Sequence, residues 1–427
     1  MKLPELFLER MKGLSDFDFN AFEKTYDRPA EAGIRLNPAK ENGYTLFKEA
    51  FGDLERVPWC EYGFYAGDAD IRGTHPYHAA GLFYFQEPSA MCAAELLPLC
   101  GGDLVLDLCA APGGKTTQLA ANKNITLVSN EIIPKRCRVL SENVERMGFG
   151  NVIVTNETPE RLAEVYKGMF NKIIIDAPCS GEGMFKKEPA AAEAWSPEHV
   201  ASCAVRQRKI IDSAMELLSP GGAVVYSTCT FSESENEENA AYIERTYPYM
   251  KQLRTEKLYP HIVRGEGHFA VLLKDMREEK NNSGARGEDK RADNEFAGLY
   301  REFEKKYLNV SLDGDFIMFG ENLYLKPGGI PVEGIRTPRP GLHLGTCKKG
   351  RFEPAHALAK YLDGKAFRFS VNFGREELLT KKYLHGETLP GDFEGFGAVL
   401  CDGLPLGWCK GSGGILKNRY PKGLRLY

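Results

Sequence analysis

Residues 105–120 constrain the fold of this chain more than any other stretch. Asp107 sits within an apolar run, Val105-Leu-Asp-Leu108, which predicts a buried parallel strand. The turn Pro112-Gly-Gly114 prevents further strand pairing, and a helix is predicted from Thr116 onward. A strand, a glycine turn and a helix N-terminus in this order bring backbone N–H groups around a ligand at the carboxyl edge of a sheet.

Two kinds of nucleotide site compete for this turn. A phosphate-binding P-loop that ends in Gly114-Lys-Thr116 needs a glycine at the position of Cys109, and the spaced glycines of a dinucleotide site are also missing. An acidic strand end before a glycine turn better suits a ligand with a cationic centre and a ribose. S-adenosylmethionine is the common ligand of that kind, and a P-loop NTPase is the alternative.

The composition predicts a globular protein of two or three domains. The chain has 427 residues, of which 43% are hydrophobic and 27% charged, and charged residues interrupt every long apolar run. We therefore expect no membrane segment and no secretory signal. The eleven cysteines contain no Cys-x-x-Cys pair and the eight histidines are scattered, which predicts free thiols in the cytoplasm and no metal site.

The net charge of −4 is unevenly distributed along the chain. Residues 296–427 contain 20 Lys and Arg against 14 Asp and Glu, so residues 1–295 carry the excess of acidic side chains. A basic C-terminal part is compatible with contacts to nucleic-acid phosphates, and a solvated surface explains the same numbers equally well.

Strand-like and helix-like stretches alternate through the middle of the chain. Strands are predicted at 104–108, 126–129, 152–155, 172–176 and 223–227, with helices at 116–121, 135–147, 159–166 and 197–218. A helix at 235–245 and a late strand at 268–274 follow. This alternation predicts a doubly wound α/β sheet that ends in a reversed hairpin.

Four regions are predicted on this basis. Residues 1–75 form a small N-terminal module, and residues 76–276 form the catalytic domain. Residues 277–295 are dense in charge and almost free of apolar side chains, which predicts a flexible linker. Short β-like runs with Gly and Pro between them predict a mostly β region over 296–427.

Two cysteines are predicted at one edge of the sheet. Cys179 follows the fourth strand, just after Asp176, and Cys229 follows the fifth. Neighbouring parallel strands end at the same edge, so both thiols can reach one cleft. A reactive thiolate needs a positive or hydrogen-bonding environment, and Lys115 is the nearest residue to supply it. At the end of the second strand, Glu131 is suited to accept hydrogen bonds from a ribose.

Together these motifs resemble the NOL1/NOP2/Sun family of RNA cytosine-5 methyltransferases, in its bacterial ribosomal RNA branch. The matching segments are Tyr84-Phe-Gln-Glu-Pro-Ser-Ala-Met91, Asp107-Leu-Cys-Ala-Ala-Pro-Gly-Gly-Lys-Thr116, Asp176-Ala-Pro-Cys-Ser-Gly-Glu-Gly183, Ser227-Thr-Cys-Thr230 and, near the end, Lys417-Asn-Arg-Tyr-Pro-Lys-Gly423. The resemblance implies a Rossmann-like, seven-stranded methyltransferase fold with a small N-terminal α+β module and a C-terminal PUA-like RNA-binding domain.

The resemblance also implies roles for individual residues. Cys229 would be the nucleophile that adds to C6 of cytosine, and Cys179 would assist breakdown of the adduct. Asp176 would contact the cytosine edge, with Lys115 nearby. The implied S-adenosylmethionine contacts are Cys109, Ala110, Ala111, Pro112, Gly113, Gly114, Lys115, Glu131, Arg136, Asn156 and Asp176. Asn156 replaces the acid that holds the adenine amino group in the family.

We therefore expect a monomeric, cytoplasmic enzyme that methylates C5 of a cytosine in ribosomal RNA, with the 16S RNA of the small subunit as the expected substrate. Transfer RNA is an alternative substrate, and a non-catalytic RNA-binding factor for ribosome assembly is an alternative function. Four basic side chains near the site could hold RNA phosphates, although for each one singly a solvated surface role is favoured: Lys186, Lys187, Arg206 and Arg208.

Overall fold

The computed structural model describes residues 3–67, 69–278 and 294–426. Within these ranges the chain forms an N-terminal module, a central α/β domain and a C-terminal region with two sheets. The predicted linker, 277–295, lies outside the described residues between 279 and 293. None of the helices in the described ranges has the length and apolar composition that a membrane span requires.

The N-terminal module is built on a small antiparallel sheet. Its elements are α1 (Glu5–Lys12), α2 (Phe19–Lys24), β1 (Gly33–Leu36), α3 (Gly43–Phe51), β2 (Gly63–Tyr65), α4 (Pro76–Ala79) and β3 (Phe83–Phe85), followed by α5 (Cys92–Glu95). The central strand β1 pairs with β2 on one side and with β3 on the other. Because β3 completes this sheet, the module extends beyond the predicted boundary at residue 75.

The central domain contains the predicted doubly wound sheet. Its elements are β4 (Leu104–Asp107), α6 (Gly114–Leu119), β5 (Thr126–Asn130), α7 (Pro134–Met147), β6 (Val152–Thr155), α8 (Pro159–Val165), β7 (Phe170–Asp176), α9 (Pro189–Ala194), α10 (Pro197–Leu217), β8 (Leu218–Thr228), α11 (Glu237–Thr246), β9 (Met250–Leu258) and β10 (His268–Asp275). The strand order is β6-β5-β4-β7-β8-β10-β9. The Rossmann-like seven-stranded fold is confirmed. β4 and β7 are parallel neighbours, and the order in which successive strands are added to the sheet reverses between them.

Burial on both faces explains why these strands are almost continuously apolar. In β4, Val105 packs into one face of the domain and Leu106 into the other, and both are fully buried. The covering helices start at recognisable caps. Ser196 accepts a hydrogen bond from the backbone N–H of His199 at the start of α10, and Thr158 caps α8 in the same way.

Strand β9 forms the reversed hairpin with β10, but the sequence predicted no residue range for it. It lies at the edge of the sheet and pairs only with β10 in the described structure. Most of its side chains are exposed, and only Met250 is fully buried. A charged edge strand with one buried residue lacks the apolar pattern on which a strand prediction depends.

The C-terminal region contains two sheets. Its elements are α12 (Asn294–Tyr307), β11 (Asp315–Phe319), β12 (Asn322–Lys326), β13 (Leu342–Lys348), β14 (Arg351–Pro354), α13 (His356–Tyr361), β15 (Ser370–Phe373), α14 (Leu378–His385), β16 (Leu389–Pro390), β17 (Gly395–Cys401), β18 (Leu404–Ser412) and β19 (Ile415–Asn418). One sheet has the order β11-β12-β13-β14 and the other β15-β17-β18-β19-β16. The mostly β character predicted for this region is confirmed.

Residues 327–341, between β12 and β13, attach this region to the central sheet. The backbone N–H of Val154 in β6 donates to the carbonyl of Arg339 at 2.7 Å. Ile330, Val332 and Ile335 are buried in the core of the central domain. The segment therefore covers the β6 edge, which would otherwise expose unpaired backbone groups.

Candidate active site

A cavity of about 780 Å³ lies at the carboxyl ends of β4, β5, β7 and β8. This is the edge where the strand order reverses, the expected ligand site of a doubly wound sheet. The loops after all four strands contribute to it. Of the predicted site residues, those that line the cavity are Cys109, Ala110, Ala111, Pro112, Gly114, Lys115, Glu131, Arg136, Asp176, Cys179 and Cys229.

Gly113 and Asn156 do not line the cavity. Gly113 has a φ of +109°, which favours glycine, and its N–H donates to the carbonyl of Ala110 at 2.8 Å. The amide nitrogen of Asn156 donates to the carbonyls of Glu131 and Ile132, and its oxygen lies 3.4 Å from Arg336. The position of Asn156 therefore does not support the predicted direct contact with an adenine, and its side chain instead holds the backbone that carries Glu131.

The Asp107 carboxylate also lines the cavity, although Asp107 is not among the predicted S-adenosylmethionine contacts. The Thr116 hydroxyl donates a 2.6 Å hydrogen bond to Oδ2. Oδ1 is buried and has no hydrogen-bond partner within residues 3–67, 69–278 and 294–426. Burial raises the pKa of Asp107 to about 7. An unpaired carboxylate oxygen at a cavity wall suits a ligand that donates hydrogen bonds or carries positive charge.

Glu131 and Arg136 connect the second strand to the glycine loop. Glu131 is almost fully buried and accepts a hydrogen bond from the backbone N–H of Ile133 at 2.9 Å. Its other oxygen lies 3.6 Å from Arg136, whose guanidinium donates to the carbonyl of Ala111 at 2.8 Å. The exposed side chains of Ile132 and Ile133 also line this end of the cavity and can pack against a flat ring.

Lys115 and Asp176 form an ion pair at the centre of the site, with 2.6 Å between Nζ and Oδ2. Burial alone would raise the pKa of Asp176, but the Lys115 ammonium holds it below its usual value. The Ser227 hydroxyl donates to Oδ1 at 2.9 Å. Lys115 was predicted to supply positive charge to a thiol, whereas its ammonium is bound to Asp176.

The two predicted cysteines lie side by side, with 3.2 Å between the Sγ atoms of Cys179 and Cys229. Both are partly exposed to the cavity. The hydrogen bond to Cys229, together with burial, raises the pKa of Cys179 well above its usual value. Cys179 therefore remains a thiol and can donate its S–H to the Cys229 sulfur, which stabilises negative charge on that atom.

Hydrogen bonds hold the two cysteine loops together. The hydroxyls of Ser180 and Thr230, the residues after each cysteine, share a 2.8 Å hydrogen bond. The buried carboxylate of Glu235 accepts from the Ser180 backbone N–H at 3.0 Å. The loops are thus fixed relative to each other within one residue of each thiol.

A second buried carboxylate, Glu182, links these loops to the N-terminal module. One oxygen accepts hydrogen bonds from the Phe231 backbone N–H at 2.9 Å and from Arg10 in α1 at 2.6 Å. The other accepts from the Trp195 indole N–H at 2.8 Å. Since Glu182 is fully buried, Arg10 compensates a charge that solvent cannot reach.

We expect Arg10→Ala to lower the free energy of unfolding by about 2 kcal/mol, because it removes a charged hydrogen bond from a buried carboxylate. Urea denaturation measures this. Arg138→Ala is the matched control, since its partner Glu142 lies on the same exposed face of α7, and an effect below about 0.5 kcal/mol is expected there. Equal effects of the two substitutions would contradict the structural role of Arg10.

His268 lines the cavity, although the sequence pattern predicts only that a late strand begins at this residue. It is 3% exposed, and its Nε2 lies 3.8 Å from Oδ1 of Asp176. Burial, with a smaller contribution from the Lys115 ammonium, lowers its pKa to about 3, so the ring is neutral. A lone histidine between glycine and apolar residues carries no recognisable motif, so the sequence offered no signal for it.

The basic side chains named from the sequence include two that are paired with carboxylates and one that lines the cavity. Lys186 forms a buried ion pair with Glu266 at 3.0 Å, and Arg208 lies 3.6 Å from Glu238. Both side chains are therefore paired with carboxylates, Lys186 in a buried pair and Arg208 in a partly exposed one. Arg206 lines the cavity, and so does Lys209, which was not predicted. These two exposed cations on α10 are therefore the better candidates for contacts to nucleic acid.

Family models match most of the chain in four consecutive parts. Residues 3–88 match the N-terminal domain of 16S rRNA methyltransferase RsmF, and residues 94–275 match 16S rRNA methyltransferase RsmB/F. Residues 302–362 match the first C-terminal domain of RsmF rRNA methyltransferase, and residues 368–426 match the methyltransferase RsmF PUA domain. The predicted PUA domain is thereby confirmed.

Individual relatives agree with these matches. Ribosomal RNA small subunit methyltransferase F of Escherichia coli (strain SMS-3-5 / SECEC) is 32% identical over 465 residues, which cover 99% of this chain and 96% of the relative. The protein of the same name from Serratia proteamaculans (strain 568) is 37% identical over 302 residues, 64% of this chain and 63% of that protein. A solved methyltransferase homologue from Pyrococcus horikoshii is 26% identical with a TM-score of 0.56, covering 64% of this chain and 95% of that one.

Proposed function

Because the chain belongs to the ribosomal RNA small subunit methyltransferase F family of S-adenosylmethionine-dependent enzymes, we propose that it methylates C5 of one cytosine in 16S ribosomal RNA through a covalent adduct with Cys229. The observation that supports this proposal most strongly is the pair of thiols, Cys179 and Cys229, in the same cavity as the Asp176 carboxylate and the glycine loop.

The residues of the loop end of the cavity fit S-adenosylmethionine. Its sulfonium and ammonium groups are cationic, and the unpaired Oδ1 of Asp107 and the carboxylates of Glu131 and Asp176 provide a matching negative surface. Glu131 would accept hydrogen bonds from the ribose hydroxyls, and Ile132 and Ile133 would pack against the adenine. When bound, the cofactor supplies an electrophilic methyl group.

The chemistry of cytosine explains the need for a thiolate. C5 of the ring is too weak a nucleophile to accept a methyl group directly. Addition of the Cys229 sulfur to C6 forms a C–S bond and shifts the ring electrons, so that C5 becomes enamine-like. Asp176 would hold the amino edge of the base in this step. C5 would then form a bond to the methyl group, which leaves its sulfur. Loss of the C5 proton to a base would return electrons to the ring, and cleavage of the C–S bond would return the bonding pair to the Cys229 sulfur. Cys179, 3.2 Å from Cys229, would assist that release.

The target base must leave its stack to reach the thiols, because a base within a helix does not expose C6 to a protein side chain. An accessible loop or an opened helix of the RNA is therefore the expected target. Arg206 and Lys209 at the cavity would contact flanking phosphates. Free thiols in the site require a reducing compartment, so the proposed place of action is the cytoplasm.

Bisulfite sequencing of RNA from cells with and without the gene tests the proposal. We expect one cytosine of 16S ribosomal RNA to lose its resistance to deamination when the gene is deleted. Re-expression of the natural sequence should restore that resistance, and re-expression of Cys229→Ser should not. A change confined to transfer RNA would support the alternative substrate. No change in either RNA, with S-adenosylmethionine binding intact, would support a non-catalytic factor.

Asp107→Asn is expected to weaken S-adenosylmethionine binding about tenfold, since it removes a charged partner for the ligand. The same substitution should stabilise the free protein. The folded-state pKa of Asp107 is about 7, above the ordinary value of 3.8, so its ionisation destabilises the fold as the pH rises between these values.

Two measurements check this prediction. Calorimetric titration gives the affinity, and thermal unfolding near pH 8 and near pH 5 gives the stability; the gain in Tm should be a few degrees and larger at the higher pH. A lower Tm of the variant at both pH values would contradict the claim that the Asp107 carboxylate binds the ligand but lowers the stability of the free protein.

A further inference from the structure

The His268 side chain is buried at the cavity wall without hydrogen bonds. Neither Nδ1 nor Nε2 has a hydrogen-bond partner in any of the described ranges, 3–67, 69–278 and 294–426. Buried polar groups are almost always paired, because an unpaired one loses its hydration without compensation. Two unpaired nitrogens on one ring at a cavity therefore indicate a group that meets its partner when a ligand enters.

The neighbours of His268 do not provide that partner. Oδ1 of Asp176 is 3.8 Å from Nε2, beyond hydrogen-bonding distance, and it already accepts from Ser227. Oδ2 of Asp176 is bound to Lys115. The neighbouring strands β8 and β9 do not provide a partner for the ring either, since they pair with β10 through backbone atoms. Nε2, the nitrogen nearer to Asp176, is thus available to a ligand that enters beside the carboxylate.

The ring is neutral because burial lowers its pKa to about 3. A neutral imidazole has one N–H donor and one acceptor. In the tautomer with the proton on Nε2, an N–H rather than a lone pair lies 3.8 Å from Oδ1 of Asp176, so this is the tautomer that suits the carboxylate beside the ring. His268 therefore presents a donor next to an acceptor, a combination that matches the edge of a cytosine.

We propose that His268 binds the target cytosine by donating its Nε2–H to the acceptor edge formed by N3 and the C2 carbonyl, while Asp176 accepts from the N4 amino group. This deepens the proposed function and rests on it. When the Cys229 sulfur adds to C6, negative charge accumulates on N3 and O2, so a donor at that edge binds the adduct more tightly than the free base. His268 is then a substrate-binding residue that also lowers the barrier to addition.

The first test compares variants of His268 with purified full-length protein and small-subunit RNA. His268→Ala should lower kcat/KM for RNA about 30-fold, with the Kd for S-adenosylmethionine unchanged within about twofold. His268→Gln, whose amide nitrogen can reach the position of Nε2, should recover most of the loss. His268→Asn, whose shorter amide reaches only the Nδ1 position, should recover little.

His343→Ala is the matched control. His343 is also a neutral histidine with an unpaired Nε2, and it stacks on Tyr324 in the C-terminal region, away from the cavity. It should leave kcat/KM within about twofold of the natural protein, since it removes a similar side chain without a contact to the base. An equal loss in both variants would overturn the proposal.

A second test uses RNA in which the target base is 2-pyrimidinone, which keeps N3 and the C2 carbonyl but lacks the N4 amino group. Adduct formation with this RNA should still decline in His268→Ala, while Asp176→Asn should have a smaller effect than it has on cytosine. Normal kcat/KM in His268→Ala, or a parallel loss of S-adenosylmethionine affinity, would overturn the inference. Absence of any product or adduct with the natural protein would instead overturn the proposed function.

Discussion

Cys229→Ser is expected to abolish methyl transfer, lowering kcat by about 10⁴-fold or more, and to abolish the covalent RNA adduct as well. A serine hydroxyl is far less acidic than a thiol, so the side chain would remain protonated at neutral pH. The Cys179 thiol beside it, at 3.2 Å between the sulfur atoms, cannot compensate because a hydroxyl does not become a nucleophile by accepting one weak S–H hydrogen bond.

Cys100→Ser is the control for this substitution. Cys100 is exposed, precedes β4 and does not line the cavity, so the same atomic change should leave kcat within about twofold of the natural protein. S-adenosylmethionine binding separates loss of chemistry from loss of fold, and Cys229→Ser should retain it. Full activity in Cys229→Ser would show that the reaction does not proceed through this sulfur.

Cys179→Ser is expected to accumulate the covalent RNA adduct, whereas Cys229→Ser is expected to abolish it. Turnover should fall about 10³-fold, but addition of Cys229 to C6 should still occur, so a covalent RNA–protein species should accumulate and persist on a denaturing gel. The reason is geometric: Cys179 is in contact with the attacking sulfur, where it can act on the adduct as the C–S bond breaks.

The double variant Cys179→Ser/Cys229→Ser provides the control for that gel. It should form no slow-migrating species, since the nucleophile is missing. If Cys179→Ser alone produced neither product nor adduct, Cys179 would be required for the addition step, and its assigned part in adduct breakdown would be wrong.

The central fold was predictable because its strands are buried on both faces. Apolar runs around Leu106, Val128 and Ile174 are the direct consequence of that burial, and glycine turns and helix caps separate them. The edge strand β9 was not predictable, since an exposed strand needs no apolar pattern. Strand β3 is apolar and mostly buried, but its aromatic residues do not indicate which strand they pair with, so its place in the N-terminal sheet was not predictable.

The site was predictable where strand order alone determines proximity. Cys179 and Cys229 follow neighbouring parallel strands, so their convergence follows from the topology. Contacts that depend on side-chain packing were not accessible in this way. Lys115 binds Asp176 rather than a thiol, and Asn156 turns towards residue 336 because the segment from 327 to 341 covers that edge of the sheet.

The roles of His268 and Glu182 could not be predicted from sequence motifs. The role of Glu182 depends on a guanidinium from α1 that is distant in sequence, and the position of His268 depends on the reversed strand β10. Both residues are buried polar groups, and their significance appears only once their partners, or the lack of them within the described ranges, can be seen.

Identification of the protein residue attached to the RNA tests the mechanism most directly. RNA with 5-fluorocytosine at the target position should trap the adduct, because fluorine at C5 cannot be removed as a proton is. After digestion of the complex with protease and nuclease, mass spectrometry should locate the nucleotide on the peptide that contains Cys229. A nucleotide attached to Cys179 or to another side chain, or methyl transfer without any trapped complex, would contradict the account.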